Sequence, residues 1–390
     1  MLESVNDARA LGSMIFSRVV YALNWMNVGA IFYLMSSDLN AGVSGLGGVT
    51  AVFYLGIGLF QIPGGLLAAK WGPKKVVVTG IFLFSFAALG TAAATTISEL
   101  AALRFVVGAG MAFVFSPGVV ILARLIRGEK SGIGVGLFNS AYDLGGLVAL
   151  FGWVVVASLM GWRMSLLLSG GLGVLTGVLT MLFVPRDETR AEFSVTIRPL
   201  LNILKDRRMI LIGLGLLGFD IANTVISGFM IYYLANSLSV SGAVAGGVTS
   251  LITIVPVFAA LWAGRMYDRI SGHRRVMLAA LLASAAALGL ASYPSIYAAV
   301  AASALGGVVG GVGYTFAFAG ARDFNTEGRE YEGLAISWVN SLHLTGSFIP
   351  PVLFSLLVES VGYPEAWLAS AALTLVFLAP ILLMSEKWRR

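Results

Sequence analysis

Twelve runs of about 20 apolar residues, each long enough to cross a hydrocarbon layer of about 30 Å as a helix, decide what this chain can become. In order they are Leu11 to Ser36, Leu46 to Ala69, Val76 to Ile97, Leu100 to Leu122, Gly132 to Ser158 and Ser165 to Val184. Then come Met209 to Leu234, Val244 to Met266, Val276 to Tyr293, Tyr297 to Gly320, Leu334 to Val358 and Ala366 to Met384. Only helices and closed barrels satisfy every backbone N–H and C=O without water, and runs this long and continuous are not barrel strands. The expected fold is an all-α membrane protein with 12 transmembrane helices. With 58% hydrophobic residues against 11% charged, the chain is solvated mainly by lipid. The first run is itself long enough to span and eleven more follow, so it reads as a helix and not as a cleavable signal peptide.

The long polar passage from Pro185 to Arg208 divides the runs into two sets of six. Residues about 200 positions apart across it repeat one another. Tyr33-Leu34 answers to Tyr233-Leu234, Gly47-Gly48-Val49-Thr50 to Gly246-Gly247-Val248-Thr249, and Asn139-Ser140 to Asn340-Ser341. A near-constant offset predicts two pseudo-symmetric six-helix bundles related by an axis along the membrane normal. The expected domains are residues 1–184, a cytoplasmic linker over 185–208, and residues 209–390. Placing both termini on the cytoplasmic side puts there all of the 25 Lys and Arg except Arg18, Arg104 and Arg163, as the positive-inside rule requires. The net charge of +6 therefore reads as a topology signal and not as a nucleic-acid surface.

Some chemistries are excluded outright. With no cysteine there are no disulfides, iron–sulfur clusters or thiolate metal sites, and two histidines make no zinc cluster. No nucleophile–base pair or phosphate loop is visible, so no cofactor, metal or enzymatic activity is expected. The run Gly306, Gly307, Gly310, Gly311 and Gly313 lies inside a helix with no strand before it. Close helix packing is the expected use. Pro63, Pro117, Pro256, Pro350 and Pro351 predict kinks.

Two loops carry a resemblance. One reads Gly65-Leu66-Leu67-Ala68-Ala69-Lys70-Trp71-Gly72-Pro73-Lys74-Lys75, the other Gly264-Arg265-Met266-Tyr267-Asp268-Arg269-Ile270-Ser271-Gly272-His273-Arg274-Arg275. Both resemble the signature loop of the major facilitator superfamily of secondary transporters: a glycine, three residues, an aspartate, a basic residue, then glycine and more basics. The first copy has Ala69 where the family has aspartate, and the second has one extra residue before Gly272. Arg104-Phe105-Val106-Val107-Gly108-Ala109-Gly110 is similar to the family's fourth-helix motif, and Gly161-Trp162-Arg163 to its turn into the sixth helix. Where drug antiporters of the family carry Gly-Pro, Ala141-Tyr142 stands ahead of Gly145-Gly146, which argues against drug/proton antiport. On physical grounds Gly65 and Gly264 would let backbones approach, and the Asp268 carboxylate would accept bonds from a helix N-terminus or from arginines across the halves. Gly65, Lys70, Gly72, Lys74, Gly264, Asp268, Arg269 and Arg275 are the expected gating residues.

Polar groups inside the apolar runs point to function, because each is costly unless it lines a cavity or finds a partner. The third, sixth, ninth and twelfth runs hold no charged, amide or histidine residue. The first, second, fourth, fifth, seventh and eleventh hold Arg18, Asn24, Asn27, Gln61, Arg104, Asn139, Asp143, Asp220, Asn223, Asn340 and His343. Every third helix is thus expected to face lipid while the rest surround a path. Asp143 and Asp220 each lie 11 residues into their runs, about 16 Å deep at 1.5 Å per residue. The expected proton-coupling residues are Asp143, Asp220 and Arg104. The expected substrate-binding residues are Arg18, Asn24, Asn27, Gln61, Asn139, Tyr142, Asn223, Asn340 and His343. Arg18 and Arg104 lie within about two turns of their runs' ends, so snorkelling to headgroups is the alternative for both.

Together these readings predict a monomeric multi-pass protein of the cell inner membrane. It would move a small polar solute, with an organic anion as the candidate, by alternating access as a proton symporter. Uncoupled facilitated diffusion or efflux of an amphipathic compound is the alternative within transporters. A membrane enzyme or a non-transporting sensor is the alternative outside them.

Overall fold

A computed structural model describes residues 5–126, 131–185, 197–328, 331–386 and 388. The first half comprises α1 (Val5–Met35), α2 (Val43–Trp71), α3 (Pro73–Thr91), α4 (Ile97–Leu125), α5 (Ser131–Met160) and α6 (Trp162–Phe183). A short α7 (Ile197–Lys205) precedes the second half, which comprises α8 (Arg207–Ser237), α9 (Gly242–Thr249), α10 (Leu251–Arg269), α11 (His273–Ala291), α12 (Ile296–Phe324), α13 (Glu332–Gly346), α14 (Ile349–Val361), α15 (Tyr363–Val376) and α16 (Leu378–Leu382). Twelve spans are long and apolar enough to cross a membrane. The eighth run is α9 plus α10, the eleventh α13 plus α14, and the twelfth α15 plus α16. Phe86, Leu159, Leu182, Phe258 and Trp262 are exposed outward, a surface suited to acyl chains and intolerable in water.

The helix ends follow local chemistry. Thr96 and Glu99 form a reciprocal capping box at the start of α4. Asp206 accepts from Arg208 N at 2.8 Å to cap α8. Gly72 joins α2 to α3 at φ 91°, where a side chain would be strained. Pro63, Pro117 and Pro256 lie inside continuous helices. Pro350 and Pro351 instead open α14 after a break at Ser347 and Phe348, because neither can donate to the carbonyls of Gly346 and Ser347.

The polar linker is where expectation and structure differ most. Residues 186–196 lie outside the described residues, but 197–205 form a helix that inserts Ile203 into the core of the second half. Apolar residues within a charged passage, spaced to share one helical face, give it an anchor that net polarity conceals.

An even number of spans puts both chain ends at one face, here the terminal face. Loops at the opposite, far face carry no Lys or Arg among the described residues. There Asp38 accepts from Trp162 Nε1 at 2.8 Å and Arg163 Nη1 at 3.1 Å. Those bonds hold its carboxyl below the usual carboxylate range, so this tie is present at neutral pH and is lost only as pH falls through the lowered value.

Core packing differs between the two faces. Toward the far face one apolar core joins both halves, from Ile31, Phe32 and Leu150 to Phe229, Leu234 and Trp367. Toward the terminal face it splits into one core per half, although Leu344 of α13 inserts into that of the first. The halves touch along α2 with α13 and α14, α1 with α8, and α5 with α9 and α10. The helices α3, α6, α11 and α15 pack mainly within their own half.

Candidate functional site

Two buried polar clusters face each other near mid-depth, one in each half. Arg18 of α1 is 13 residues from the helix start, about 20 Å in, and only 6% exposed. It does not snorkel, because α1 begins well before the apolar run does. Its guanidinium carbon lies 4.5 Å from the Tyr21 ring, 4.7 Å from Tyr142, and 4.9 Å from both Phe115 and Phe138. Nε and Nη1 have no hydrogen-bond partner. Ring faces attract the charge but offer these two N–H groups no conventional acceptor.

Asp143, also in this region, is half-buried. It interacts with Arg18 only through charge and accepts no hydrogen bond among the described residues.

The second cluster centres on Asp220 of α8, which is 2% exposed. Its carboxylate accepts from Thr224 Oγ1 at 3.0 Å, from the Tyr314 hydroxyl of α12 and from the Ser347 hydroxyl at the α13–α14 break. Three hydroxyls on three spans thus serve one acid, with no Lys or Arg in salt-bridge range among the described residues. Tyr54 of α2 reaches across from the first half, its hydroxyl 3.2 Å from Thr224 Oγ1. Thr224 has one proton to give, so when it serves the carboxylate its lone pair accepts from Tyr54. His343 is buried edge-on to the Tyr314 ring at 5.6 Å, and its Nδ1 has no partner.

Aromatic rings connect the clusters. Trp25 lies 5.7 Å from Tyr21, 5.8 Å from Tyr142 and 5.5 Å from Tyr54. Beside Trp25, Tyr54, Arg104 and Thr224 is a cavity of about 30 Å³, room for about one water. A larger cavity of about 250 Å³ at the terminal face, lined by Asn202, Lys205, Asp206 and Glu327 among others, is remote from the buried acids. Its carboxylates are already held, Asp206 by Arg208 and Glu327 by Asn202.

Other expected site residues are placed differently. Asn24 and Asn27 turn toward α6: Asn24 donates to Ser169 O at 2.9 Å and Asn27 to Ser169 Oγ at 2.9 Å. Arg104 does not snorkel either. It donates to Asn24 O at 2.9 Å, Trp25 O at 3.1 Å and Asn27 Oδ1 at 3.2 Å, with Phe53 beneath its charge at 4.1 Å. These three tie α1 to α4 and α6. Replacing Arg104 with Leu should cost on the order of 2–3 kcal/mol, read as a fall in the melting temperature of the detergent-solubilised protein. An unchanged melting curve would refute that role.

Gln61 donates to Ser116 Oγ at 2.9 Å, and Ser337 of the second half donates to the same oxygen at 2.8 Å. Asn139 is exposed, Asn223 half-buried beside Tyr314, and Asn340 buried.

The signature loops hold a correction. A Cβ at Gly65 or Gly264 would meet nothing within 4 Å, so neither mediates close approach. Gly64 does instead, with Phe113 and Ala112 O against it, because the helix turns that neighbour toward α4. Lys74 donates to Val184 O, and Arg274 and Arg275 pair with Glu386 at 2.9 and 3.2 Å. All three bonds stay within one half, while Lys70 and Arg269 are exposed. In α12, Gly307 packs on Leu251 O and Val255, and Gly311 on Ala259, the close packing expected of that run.

Tyr21, Trp25, Tyr314 and Ser347 are absent from the site expected from sequence. Tyr21 and Trp25 follow Arg18 at i+3 and i+7 and so share its face, a signal available in the sequence. Ser347 has no such signal, since its exposure to Asp220 comes from the helix break.

A sequence profile of the Major Facilitator Superfamily matches residues 14–226 and 212–389. Among curated relatives, "Probable sulfoacetate transporter SauU" of Cupriavidus necator is 26% identical over 193 residues, 50% of this chain and 45% of that protein. The 4-hydroxybenzoate transporter PcaK of Pseudomonas aeruginosa is 29% identical over 156 residues, 40% of this chain and 35% of that one. "Probable galactarate/D-glucarate transporter GudP" of Escherichia coli is 30% identical over 148 residues, 36% of this chain and 32% of that one. The chain spans less than half the length of these relatives. A bacterial homolog of the human lysosomal transporter Spinster, in an inward-facing and occupied conformation, superposes with TM-score 0.79 at 15% identity, covering 98% of this chain and 97% of that one. The nucleoside transporter NupG gives 0.75 at 18% identity, covering 96% and 99%. At such identities the likeness concerns the fold, and with the twelve spans it makes this a multi-pass membrane protein.

Proposed function

The chain belongs to the major facilitator superfamily, and from that premise we propose that it is a secondary transporter of a small organic anion, coupled to protons and working by alternating access. The observation that carries the anion is Arg18, a buried guanidinium with two unpartnered nitrogens. Such a group is costly in an apolar interior, and a carboxylate or sulfonate oxygen accepts a charge-assisted bond from either unpartnered N–H group. The names of the relatives, transporters of sulfoacetate, 4-hydroxybenzoate and galactarate or glucarate, point to the same solute class.

Coupling is assigned to Asp143 and Asp220. Asp143 has Arg18 as its charge partner and accepts no hydrogen bond among the described residues, so an arriving anion competes with it for that guanidinium. Asp220 accepts from Tyr314 and Ser347 on two other spans as well as from Thr224 on its own, so a rearrangement of those spans acts directly on this carboxyl. Positive loops would place the terminal face in the cytoplasm.

Uptake of a labelled organic acid panel into proteoliposomes, with and without an inward proton gradient, tests the reading. Anions should accumulate along the gradient, and Arg18→Leu should lower their uptake on the order of 100-fold, the scale of a lost buried charge partner. Flux confined to cations or neutral solutes, or full anion uptake by the variant, would refute it.

A further inference from the structure

The walls around Arg18 say more than that an anion binds there. The guanidinium is enclosed by Tyr21, Phe115, Phe138 and Tyr142, and the rings continue through Trp25. The nearby serines of α1 are already engaged, since Ser13 donates to Ala10 O and Ser17 to Met14 O. Apart from the two tyrosine hydroxyls and the Asp143 carboxyl, the side chains surrounding the guanidinium present carbon. A sugar acid would bring several hydroxyls to this surface with few partners, each a desolvation penalty. A flat hydrocarbon body would lose nothing by leaving water and would stack or pack edge-on against the rings.

Charge narrows the class further. In this central region the described buried or half-buried charges are Arg18 and Arg104 against Asp143 and Asp220, and Arg104 gives both terminal nitrogens to the α1 backbone and Asn27, leaving only its Nε without a partner. One anionic group can take Arg18. A second, at the opposite end of the same small molecule, would meet Asp143 or Asp220 with no cation left to balance it.

We infer that the solute is an aromatic monocarboxylate, its carboxylate on Arg18 and its ring among Tyr21, Trp25 and Tyr142. This inference rests on the anion-transport reading above and goes beyond it in naming the body of the solute. Benzoate, gluconate and glucarate are the probes: an aromatic monoanion, a polyhydroxy monoanion and a polyhydroxy dianion.

Each should be measured by uptake into proteoliposomes holding the full chain, and by quenching of tryptophan fluorescence. Benzoate should bind and be carried at least about tenfold more tightly than either sugar acid, about 1.4 kcal/mol. The changes Trp25→Leu and Tyr142→Leu, which remove two of the rings assigned to the solute, should narrow that preference. Carriage of gluconate or glucarate in preference to benzoate would overturn the aromatic assignment and leave anion transport standing. Failure of benzoate to bind would overturn it equally, and flux of only neutral or cationic solutes would remove both readings. The wild-type ligand series decides the matter even if neither variant folds.

Discussion

Asp220→Asn should abolish proton-driven accumulation while leaving exchange of solute across the membrane. With one coupled proton and a gradient of one pH unit, wild type should concentrate solute about tenfold, equivalent to about 1.4 kcal/mol, and the variant should stop at equal concentrations. Asparagine keeps the shape and an acceptor oxygen for Ser347 and Thr224, so the hub still assembles. What it loses is the capacity to ionise. A purely structural carboxylate would give the opposite pattern, coupled accumulation intact in Asp220→Asn. Asp220→Ala would then be the damaging change, because it leaves three buried hydroxyls without their acceptor. Counterflow and gradient-driven uptake measured on the same vesicles separate the two outcomes.

How much of this hub the sequence disclosed can be traced residue by residue. Asp220 stands out because a mid-span acid is rarely tolerated without a role, and Thr224 at i+4 falls on its face by helical geometry alone. Tyr314 and Ser347 come from other spans, and nothing in a linear pattern pairs position 220 with positions 314 and 347. The same limit explains Asn24 and Asn27. Their spacing shows one polar face on α1, but that face has two candidate directions, and only packing turns it toward Ser169 of α6. Helix count and the position of the polar divide were legible because they depend on hydropathy summed over about 20 residues. The break in α13–α14 follows from two adjacent prolines, whereas the break between α9 and α10 at Ser250 has no proline within the turn that fails. The helix α7 was hidden for a different reason, since a nine-residue amphipathic stretch averages to polar.

The duplication has a consequence at the far face that Gly246→Val should expose: a shift toward the state open at that face. A Cβ on Gly246 of α9 would lie 2.5 Å from Leu150 O of α5. Its counterpart Gly47 of α2 would place one 2.7 Å from Pro351 O of α14, with Ser355 closer still. Gly47 and Gly246 are 199 positions apart, and Leu150 and Pro351 are 201 apart, so the two contacts are one glycine-on-carbonyl closure repeated by the pseudo-twofold axis. Both cross from one half to the other, and each includes a backbone carbonyl within 2.7 Å, which cannot rotate aside as the Ser355 hydroxyl can. Added bulk must therefore part the halves, and overpacking of about 1–3 kcal/mol corresponds to a change of roughly 5- to 150-fold in the ratio of closed to open. Since the chain has no cysteine, a single thiol introduced by Ala245→Cys, at a position fully buried in the shared far-face core, reports that opening against no background. Its labelling by a water-soluble maleimide should accelerate by that factor in Gly246→Val, and further when Gly47→Val is added. Equal labelling rates in all three proteins would mean that the far face does not close on these glycines.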